Sequence, residues 1–484
     1  MDIIDNFIGG ELTPPADGDY LENICPATGQ VYGKIPNSND ADLAKAISSA
    51  QEAQQTWANT PLEQRSDILL KIAQLIEEHI DELALAESVD NGKPISLAKQ
   101  VDIPRAASNF KFFANAATQF ASESHAMPGD AINYTLRQPL GIVGCISPWN
   151  LPLYLFTWKI APALAAGNCV IAKPSEVTPK TASMLAKLCL DAGLPKGVLS
   201  ILHGQGQQIG RMICNHPEIK AVSFTGGTQT GGQIATELAP RFKKLSLELG
   251  GKNPAIIFSD CDFEHTIEQV FRASFANQGQ ICLCASRIYI QREVYDKFKE
   301  ALVHKTKQLV PSDPLNESSK MGAIVSKQHL SKILHFVELA KNSNANILCG
   351  GYQITLEGEL ENGFYMAPTI IENLAIDHAC NQQEIFGPVI TLTPFDDVQE
   401  AITLANNSDY GLATTIWTQD INKAHHVAAQ VNTGIVWVNC WLHRDLRTPF
   451  GGMKNSGLGR EGGNEAMRFF TEAKNVCIKY ANTV

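Results

Sequence analysis

The chain has 484 residues, 44% of them hydrophobic and 18% charged, with a formal net charge of −11. That length accommodates roughly two to four domain-sized units with substantial cores, while the acidic balance and scattered Lys and Arg argue against nucleic acid or an anionic membrane as main partner. Its 12 cysteines are dispersed and form no CxxC pair, which points to reduced thiols in a cytoplasmic protein rather than a disulfide framework or a zinc site.

The first residues, MDIIDNFIGGEL, lack the basic region and apolar core of a signal peptide. No apolar run approaches the ~18 residues needed to span a bilayer. From Asp40 to about Glu87 the pattern is helical, with Ile68, Ile72, Leu75, Ile76 and Leu83 at helical intervals, and Asn91-Gly92-Lys93-Pro94 stops the run. The segment Asn133–Arg137 (NYTLR) reads as an isolated strand. From Gly141 strands and helices alternate: GIVGCIS as a buried strand, Tyr154–Ala166 as a helix, Asn168–Lys173 as a strand, Thr181–Ala192 as a helix, then VLSILHG and AVSFTGG as strands. Such alternation predicts an α/β fold with a parallel, doubly wound sheet.

Gly204–Gly210 (GQGQQIG) approximates a Gly-rich dinucleotide fingerprint, but its last interval is one residue too long; Gly206 within it remains a candidate cofactor contact. Gly226 and Gly227 are better placed, after the strand that ends at Phe224 and Thr225 and before a predicted helix, where backbone N–H groups would face a pyrophosphate. An ordinary strand-to-helix turn explains the same residues. In Leu245–Leu249, alternation puts three leucines on one face and Ser246 and Glu248 on the other, with Gly250-Gly251 ending the strand. Glu248 is therefore a desolvated carboxylate, either a general base or half of a buried ion pair. A second α/β run follows through PAIIF, RIYIQ, VITLTPF and TGIVWVN, and the C-terminal AKNVCIKYA reads as another isolated strand. Within this run, Phe275–Arg287 (FANQGQICLCASR) sets Cys282 between small and amide residues. Together, a thiol and a desolvated carboxylate supply what is needed to form a thioester and hydrolyse it.

These segments closely resemble the two signature motifs of the NAD(P)-dependent aldehyde dehydrogenases. The likeness extends through Ile146–Leu153 (ISPWNLPL), Ala172–Glu176 (AKPSE), Phe224–Gly231 (FTGGTQTG), Glu384–Val389 (EIFGPV) and Pro449–Gly463 (PFGGMKNSGLGREGG). It implies a Rossmann-type NAD-binding domain from residues 1–120 and 140–250, an α/β catalytic domain over 251–450, and oligomerisation strands in 121–139 and 466–484, hence a homodimer or homotetramer. It also implies roles: Cys282 as nucleophile, Glu248 as general base, Asn150 as oxyanion donor, and Ser147, Trp149, Lys173, Glu176, Gly206, Phe224, Thr225, Gly226, Gly227, Glu384 and Phe386 around the cofactor. Glu176 favours NAD, because a carboxylate binds ribose hydroxyls and repels a 2′-phosphate. The family usually has Ser where this chain has Gly227. Members that pass the acyl group to coenzyme A generally lack the general base, so Glu248 implies hydrolysis. Cys284 is uncommon at its position and reads as a packed thiol.

Two arginines stand out for the substrate, Arg105 in VDIPRAASNF and Arg444 in NCWLHRDLRTPFGG. Paired guanidinium groups suit a distal carboxylate; the alternative is a pair of surface arginines bound to Asp102 and Asp445. The surrounding segments are similar to those of the 2-aminomuconate and 2-hydroxymuconate semialdehyde dehydrogenases, which implies Arg105 and Arg444 as carboxylate ligands with Trp158 and Phe450 as apolar walls. His443 would make the funnel more polar, and Arg447 is a further candidate anchor. A broad-range or betaine-type aldehyde dehydrogenase and a catalytically silent member of the fold are the rival expectations.

Overall fold

The structure, a computed structural model, describes residues 2–481. Five parallel strands form the centre of an eight-stranded sheet, in the spatial order Lys244–Glu248, Ile219–Thr225, Ile142–Ile146, Cys169–Lys173, Leu199–Ile201. Antiparallel strands extend it on both sides, Gly457–Leu458 beside Glu248 and Asn6–Ile8 beyond Ile201. The first parallel strand in the chain, Ile142–Ile146, thus lies next to the fourth, Ile219–Thr225. Helices leave these two strands toward opposite faces, and a crevice opens at their carboxyl ends. The strands are near-continuous apolar runs because both faces of a parallel sheet are covered. Helix Pro152–Ala165, which follows the first strand, is buried at all 14 residues. It is apolar over most of its circumference, with Thr157 and Lys159 buried among the rest, and each fully buried Leu, Ile or Phe contributes about 1.5–3 kcal/mol.

The helical stretch expected from Asp40 to about Glu87 is three helices, Asp40–Asn59, Leu62–Glu78 and Ile80–Asn91. Pro61 holds Thr60 in an extended conformation (ψ 130°) and so ends the first. His79, whose Nδ1 lies 2.8 Å from the Leu75 carbonyl, divides the second from the third. Gly92 then closes the run at φ 81°, a left-handed cap.

The second large sheet has seven strands in the order Asn346–Cys349, Thr369–Glu372, Val389–Phe395, Ala285–Gln291, Asn253–Ile257, Ala413–Trp417, Ile435–Val438, all parallel except the first. Ala413–Trp417 was not among the expected strands, since its ATTIW sequence is short and half threonine-like in polarity, yet it is buried at all five positions. A third, three-stranded sheet joins the segments that read as isolated strands. Thr471–Lys479 pairs antiparallel with Ala131–Pro139, which also pairs with Ser124–Met127. No helix among the described residues is long and apolar enough to cross a membrane.

Candidate active site

Two loops meet above the crevice. The first follows strand Ile142–Ile146 and carries Ser147, Trp149 and Asn150. Its main chain is held from below: Asn91 Nδ2 donates to the Trp149 carbonyl (2.8 Å), and Lys93 Nζ donates to that of Asn150 (3.1 Å). The second loop begins with three successive left-handed residues, Asn277 (φ 49°), Gln278 (φ 57°) and Gly279 (φ 69°). At the last of these a Cβ would stand 2.3 Å from the Gly387 carbonyl oxygen, so only glycine fits. Side-chain amides fix the strained turn, with Asn277 Nδ2 donating to the Asn150 carbonyl (2.9 Å) and Gln278 Nε2 to that of Ala323 (3.0 Å). Asn150 Nδ2 in return donates to the Gln280 carbonyl (3.0 Å). Beyond it, Asn253 Nδ2 donates to the carbonyls of Cys282 (2.7 Å) and Cys284 (2.9 Å), and Trp441 Nε1 to that of Leu283 (2.9 Å). Cys282 is thus held on both sides by its own backbone.

Cys282, with Thr225 and Leu249, forms the wall common to two cavities. One, of about 390 Å³, is lined by Arg105, Tyr154, Glu248, Arg272, Arg444 and Phe450 among others. The other, of about 220 Å³, is lined by Trp149, Asn150, Gly226, Gly227, Glu384 and Phe386, joined by His329 and Lys332. The thiol therefore sits at a junction, reachable from one chamber for a small substrate and from another for a second molecule.

Burial dominates the electrostatics. Glu248 is 4% exposed, and Oε1 has no hydrogen-bond partner among the described residues. Gly451 makes room for that oxygen, since a Cβ there would lie 2.7 Å from it. Burial, and next the charge of Glu461, push the Glu248 pKa well above the usual carboxylate range against the pull of Lys159, Arg460 and Arg444. Glu461 itself accepts from Lys159 Nζ (2.8 Å), which also donates to Ser223 Oγ (2.9 Å). Burial, followed by the charges of Glu248 and Glu384, likewise pushes the Cys282 thiol far up. Glu384 is raised by burial although its Oε1 accepts from Gly251 N at 2.8 Å. A Cβ at Gly250 would meet the Glu384 carboxylate at 2.3 Å, so any side chain there would displace that carboxylate.

The expected residues separate into three groups. Cys282, Glu248, Asn150, Trp149, Thr225, Gly226, Gly227, Glu384 and Phe386 converge on the two cavities. Lys173, Glu176 and Gly206 form a second cluster outside those linings: Glu176 accepts from Lys173 Nζ (2.8 Å) and from Gly206 N (3.1 Å). Burial alone would raise the Glu176 pKa, but Lys173 holds it below its ordinary value. Ser147 donates its N–H to the Lys173 carbonyl (3.1 Å), linking the two clusters, and the Phe224 ring lies beneath Gly226. The third group concerns the arginines. Asp102 is bound to Lys93 and Asp445 to Arg447 (2.6 Å), so neither is the partner of Arg105 or Arg444. Among the described residues neither arginine has a carboxylate partner; Arg444 Nη1 donates to Tyr154 Oη, and its guanidinium covers the Phe450 ring at 4.0 Å.

Three expectations change. Trp158 is 2% exposed and does not line the cavity; its ring supports the Arg444 guanidinium from behind at 5.1 Å. Arg447 is exposed and tied to Asp445, outside the cavity, and His443 is exposed as well. Tyr154, Arg272, His329 and Lys332 were missed. Tyr154 sits one helical turn before Trp158 on a helix buried at every position, where nothing in the pattern separates a wall residue from a core residue. Arg272 stands on helix Phe263–Phe275 with its guanidinium 5.5 Å over the Trp441 ring. His329 packs edge-on to Trp149 (5.0 Å), and its Nε2 lies 2.7 Å from the Phe386 carbonyl, bracing a bulky residue held at φ 61°.

Comparison with known proteins matches this architecture. The aldehyde dehydrogenase family profile spans residues 13–476. The chain is 48% identical to 2-aminomuconic semialdehyde dehydrogenase of Mus musculus, over 99% of this chain and 98% of that protein. It is 43% identical to 2-hydroxymuconic semialdehyde dehydrogenase of Pseudomonas sp. (strain CF600), over 99% of this chain and 100% of the relative. Among solved structures, an aldehyde dehydrogenase from Bacillus cereus in complex with NAD+ superposes with a TM-score of 0.97 at 37% identity, covering 99% of this chain and 97% of the other. With a thiol, a buried carboxylate and an amide donor gathered on this fold, the chain belongs to the aldehyde dehydrogenase family and is an oxidoreductase.

Proposed function

We propose that this protein oxidises an acidic, unsaturated semialdehyde, 2-aminomuconate or 2-hydroxymuconate 6-semialdehyde, to the carboxylic acid with NAD. The observation that carries the substrate class is the pair Arg105 and Arg444, which line the cavity at Cys282 and have no ion-pair partner among the described residues. A bound carboxylate would complete that arrangement. The names of the muconic relatives support the same reading.

The crevice fits a dinucleotide. Ser147 Oγ, Thr225 Oγ1 and Thr228 Oγ1 are buried without partners in the described residues, and Gly227 has open space where its Cβ would point. In this reading the Gly226-Gly227 amides and those hydroxyls hold the pyrophosphate, Glu176 and Lys173 the adenosine ribose, and Glu384, Phe386 and Trp149 the nicotinamide end. When bound, NAD supplies the hydride acceptor.

The rest is chemistry of the chain. The Cys282 thiol first loses its proton to solvent, so that the thiolate is the attacking form, and Glu248, held above the ordinary carboxylate range by burial and Glu461, is the base kept for water. The sulfur then bonds to the aldehyde carbon, and Asn150 Nδ2 with the Cys282 N–H receives the negative charge that develops on oxygen. One such donor is typically worth roughly 3–4 kcal/mol. Once the carbon is oxidised the acyl group remains on Cys282 as a thioester. Glu248 removes a proton from water, the water adds to the thioester, and the acid leaves with the thiol restored. Tyr154, Phe450 and Leu249 wall this chamber and limit bulk water. The eight-stranded sheet, with residues 1–120 and 140–250, serves as the cofactor unit, residues 251–450 as the catalytic unit, and the three-stranded sheet as the contact between copies in a cytoplasmic homodimer or homotetramer.

The test compares kcat/KM for 2-hydroxymuconate semialdehyde and for a neutral aldehyde of similar length in wild type and Arg444→Ala. Loss of roughly 10–100-fold on the acidic substrate alone, about 1.4–2.7 kcal/mol, is expected. Equal losses on both substrates would refute carboxylate recognition and leave a broad-range or betaine-type dehydrogenase.

A further inference from the structure

Lys93 is fully buried and lines neither cavity at Cys282. A buried ammonium is costly unless its partners are close and complete. Here Nζ has three, each from a different part of the chain: Asp102, Glu87 Oε1 at 3.4 Å, and the main-chain carbonyl of Asn150 at 3.1 Å. Glu87 passes the connection on, since its Oε2 accepts from Leu153 N (3.2 Å) in the first turn of helix Pro152–Ala165 and from Thr181 Oγ1 (3.2 Å). Asp102 closes a π-helical turn, Ala98–Asp102, that runs directly into helix Ile103–Thr118 carrying Arg105. Such turns are often retained at functional sites.

The two carboxylates take two of the three ammonium N–H donors. The third bond goes to the peptide that carries the proposed oxyanion donor, and it converges there with Asn277 Nδ2 from the nucleophile loop (2.9 Å). The Asn150 main chain is therefore clamped between a cation anchored in the cofactor unit and an amide anchored beside Cys282. From this we infer that Lys93 is a positioning residue: it sets the distance between the Asn150 amide and the Cys282 sulfur, and so acts on the rate of the chemical step without touching substrate. The inference rests on the reading of Asn150 as the oxyanion donor. A displacement of about 1 Å at such a donor can cost on the order of 100-fold in rate.

The experiment is a mutant cycle on the full-length enzyme. Lys93→Met is combined with Asp102→Asn so that Asp102 is not left as a buried charge without its cation, Glu87 being favoured in its protonated form by burial, and kcat, KM and the thermal midpoint are measured alone and with Asn150→Ala. The expected result is a kcat lowered roughly 10–100-fold, KM changed less than about threefold, and no further loss when Asn150→Ala is added, because both changes remove one function. Unchanged kcat, or losses that multiply in the combined variant, would overturn the inference. Lys93→Arg keeps the charge and serves if the neutral pair does not fold. Its planar fork cannot reproduce three bonds from one nitrogen, so a lowered kcat supports the clamp and full kcat refutes it. Wild-type rates in Asn150→Ala alone would instead defeat the oxyanion reading on which the clamp depends.

Discussion

Glu248 and Cys282 are both pushed toward their neutral forms, the first by burial and Glu461, the second by burial and Glu248 itself. Each must lose a proton before it can act. In the proposed mechanism the raised pKa values mean activity that climbs as pH rises, and kcat/KM of the wild type is expected to increase from neutral toward alkaline pH. Glu461 supplies part of the upward push on Glu248 while Lys159 opposes it, so Glu461→Gln removes a negative charge and leaves the cation. The rising limb of its pH profile is then expected to move to lower pH, and a limb that stays in place would show that Glu461 does not set the base. Glu248→Gln keeps the shape of the side chain but cannot deprotonate water. It is expected to accumulate the acylated enzyme, read as a mass increase on Cys282 in intact-protein mass spectrometry after mixing with aldehyde and NAD. Prompt turnover without that adduct would assign the base elsewhere. Glu87 offers a stability readout of the same physics. Burial raises its pKa, with Lys93 opposing, so the folded state favours the protonated form. Its stabilising contribution is whole below the unfolded carboxyl value and is lost as pH rises through the raised one. Glu87→Gln is accordingly expected to flatten the fall of the thermal midpoint at alkaline pH.

At the scale of elements, the strand-to-helix turn at Gly226-Gly227 shows how much a local pattern can reveal. A Cβ at Gly226 would stand 2.5 Å from the Phe224 ring and would displace it, whereas Gly227 caps helix Thr228–Leu238 at an ordinary φ of −68° with open space around it. Gly227→Ser, which adds the hydroxyl the family usually has, is expected to raise stability by a few tenths of a kcal/mol through helix capping and to tighten NAD binding in a titration. Weaker binding would place the pyrophosphate elsewhere. Apolar strands such as GIVGCIS and NCVIAK were legible because a covered parallel sheet demands uninterrupted hydrophobic runs. The left-handed turn Asn277-Gln278-Gly279 was not, since its side-chain amides bond to carbonyls in other segments of the fold. Lys93 is the plainest case. In the sequence it is one residue of a helix-stopping Asn-Gly-Lys-Pro, and only the folded chain brings Asp102 and Asn150 to its nitrogen. Local sequence singled out the candidate reactive groups, while the groups that hold them depend on contacts across tens to hundreds of residues.

For the whole molecule, the two large sheets account for the two chambers at Cys282, but the three-stranded sheet has no place in that chemistry. Its strands Ser124–Met127, Ala131–Pro139 and Thr471–Lys479 carry Met127 (45% exposed), Leu136 (39%) and Ile478 (50%), followed by Tyr480 (43%). Both outer strands have a free edge among the described residues, since the order is Thr471–Lys479, Ala131–Pro139, Ser124–Met127. Apolar side chains on a sheet with open edges are a liability in an isolated protein, and a second copy of the chain would cover them. The pattern that read as lone strands is therefore explained if the sheet is completed between subunits. Light scattering coupled to size-exclusion chromatography is expected to give a mass of two or four chains for the wild type. In Leu136→Asp/Ile478→Asp the introduced charges would have to be desolvated at such a contact, at a cost of several kcal/mol, so the mass should fall toward one or two chains. A mass that does not change in the double variant would remove this sheet from the subunit contact. A wild type that runs as a single chain would refute the oligomer altogether.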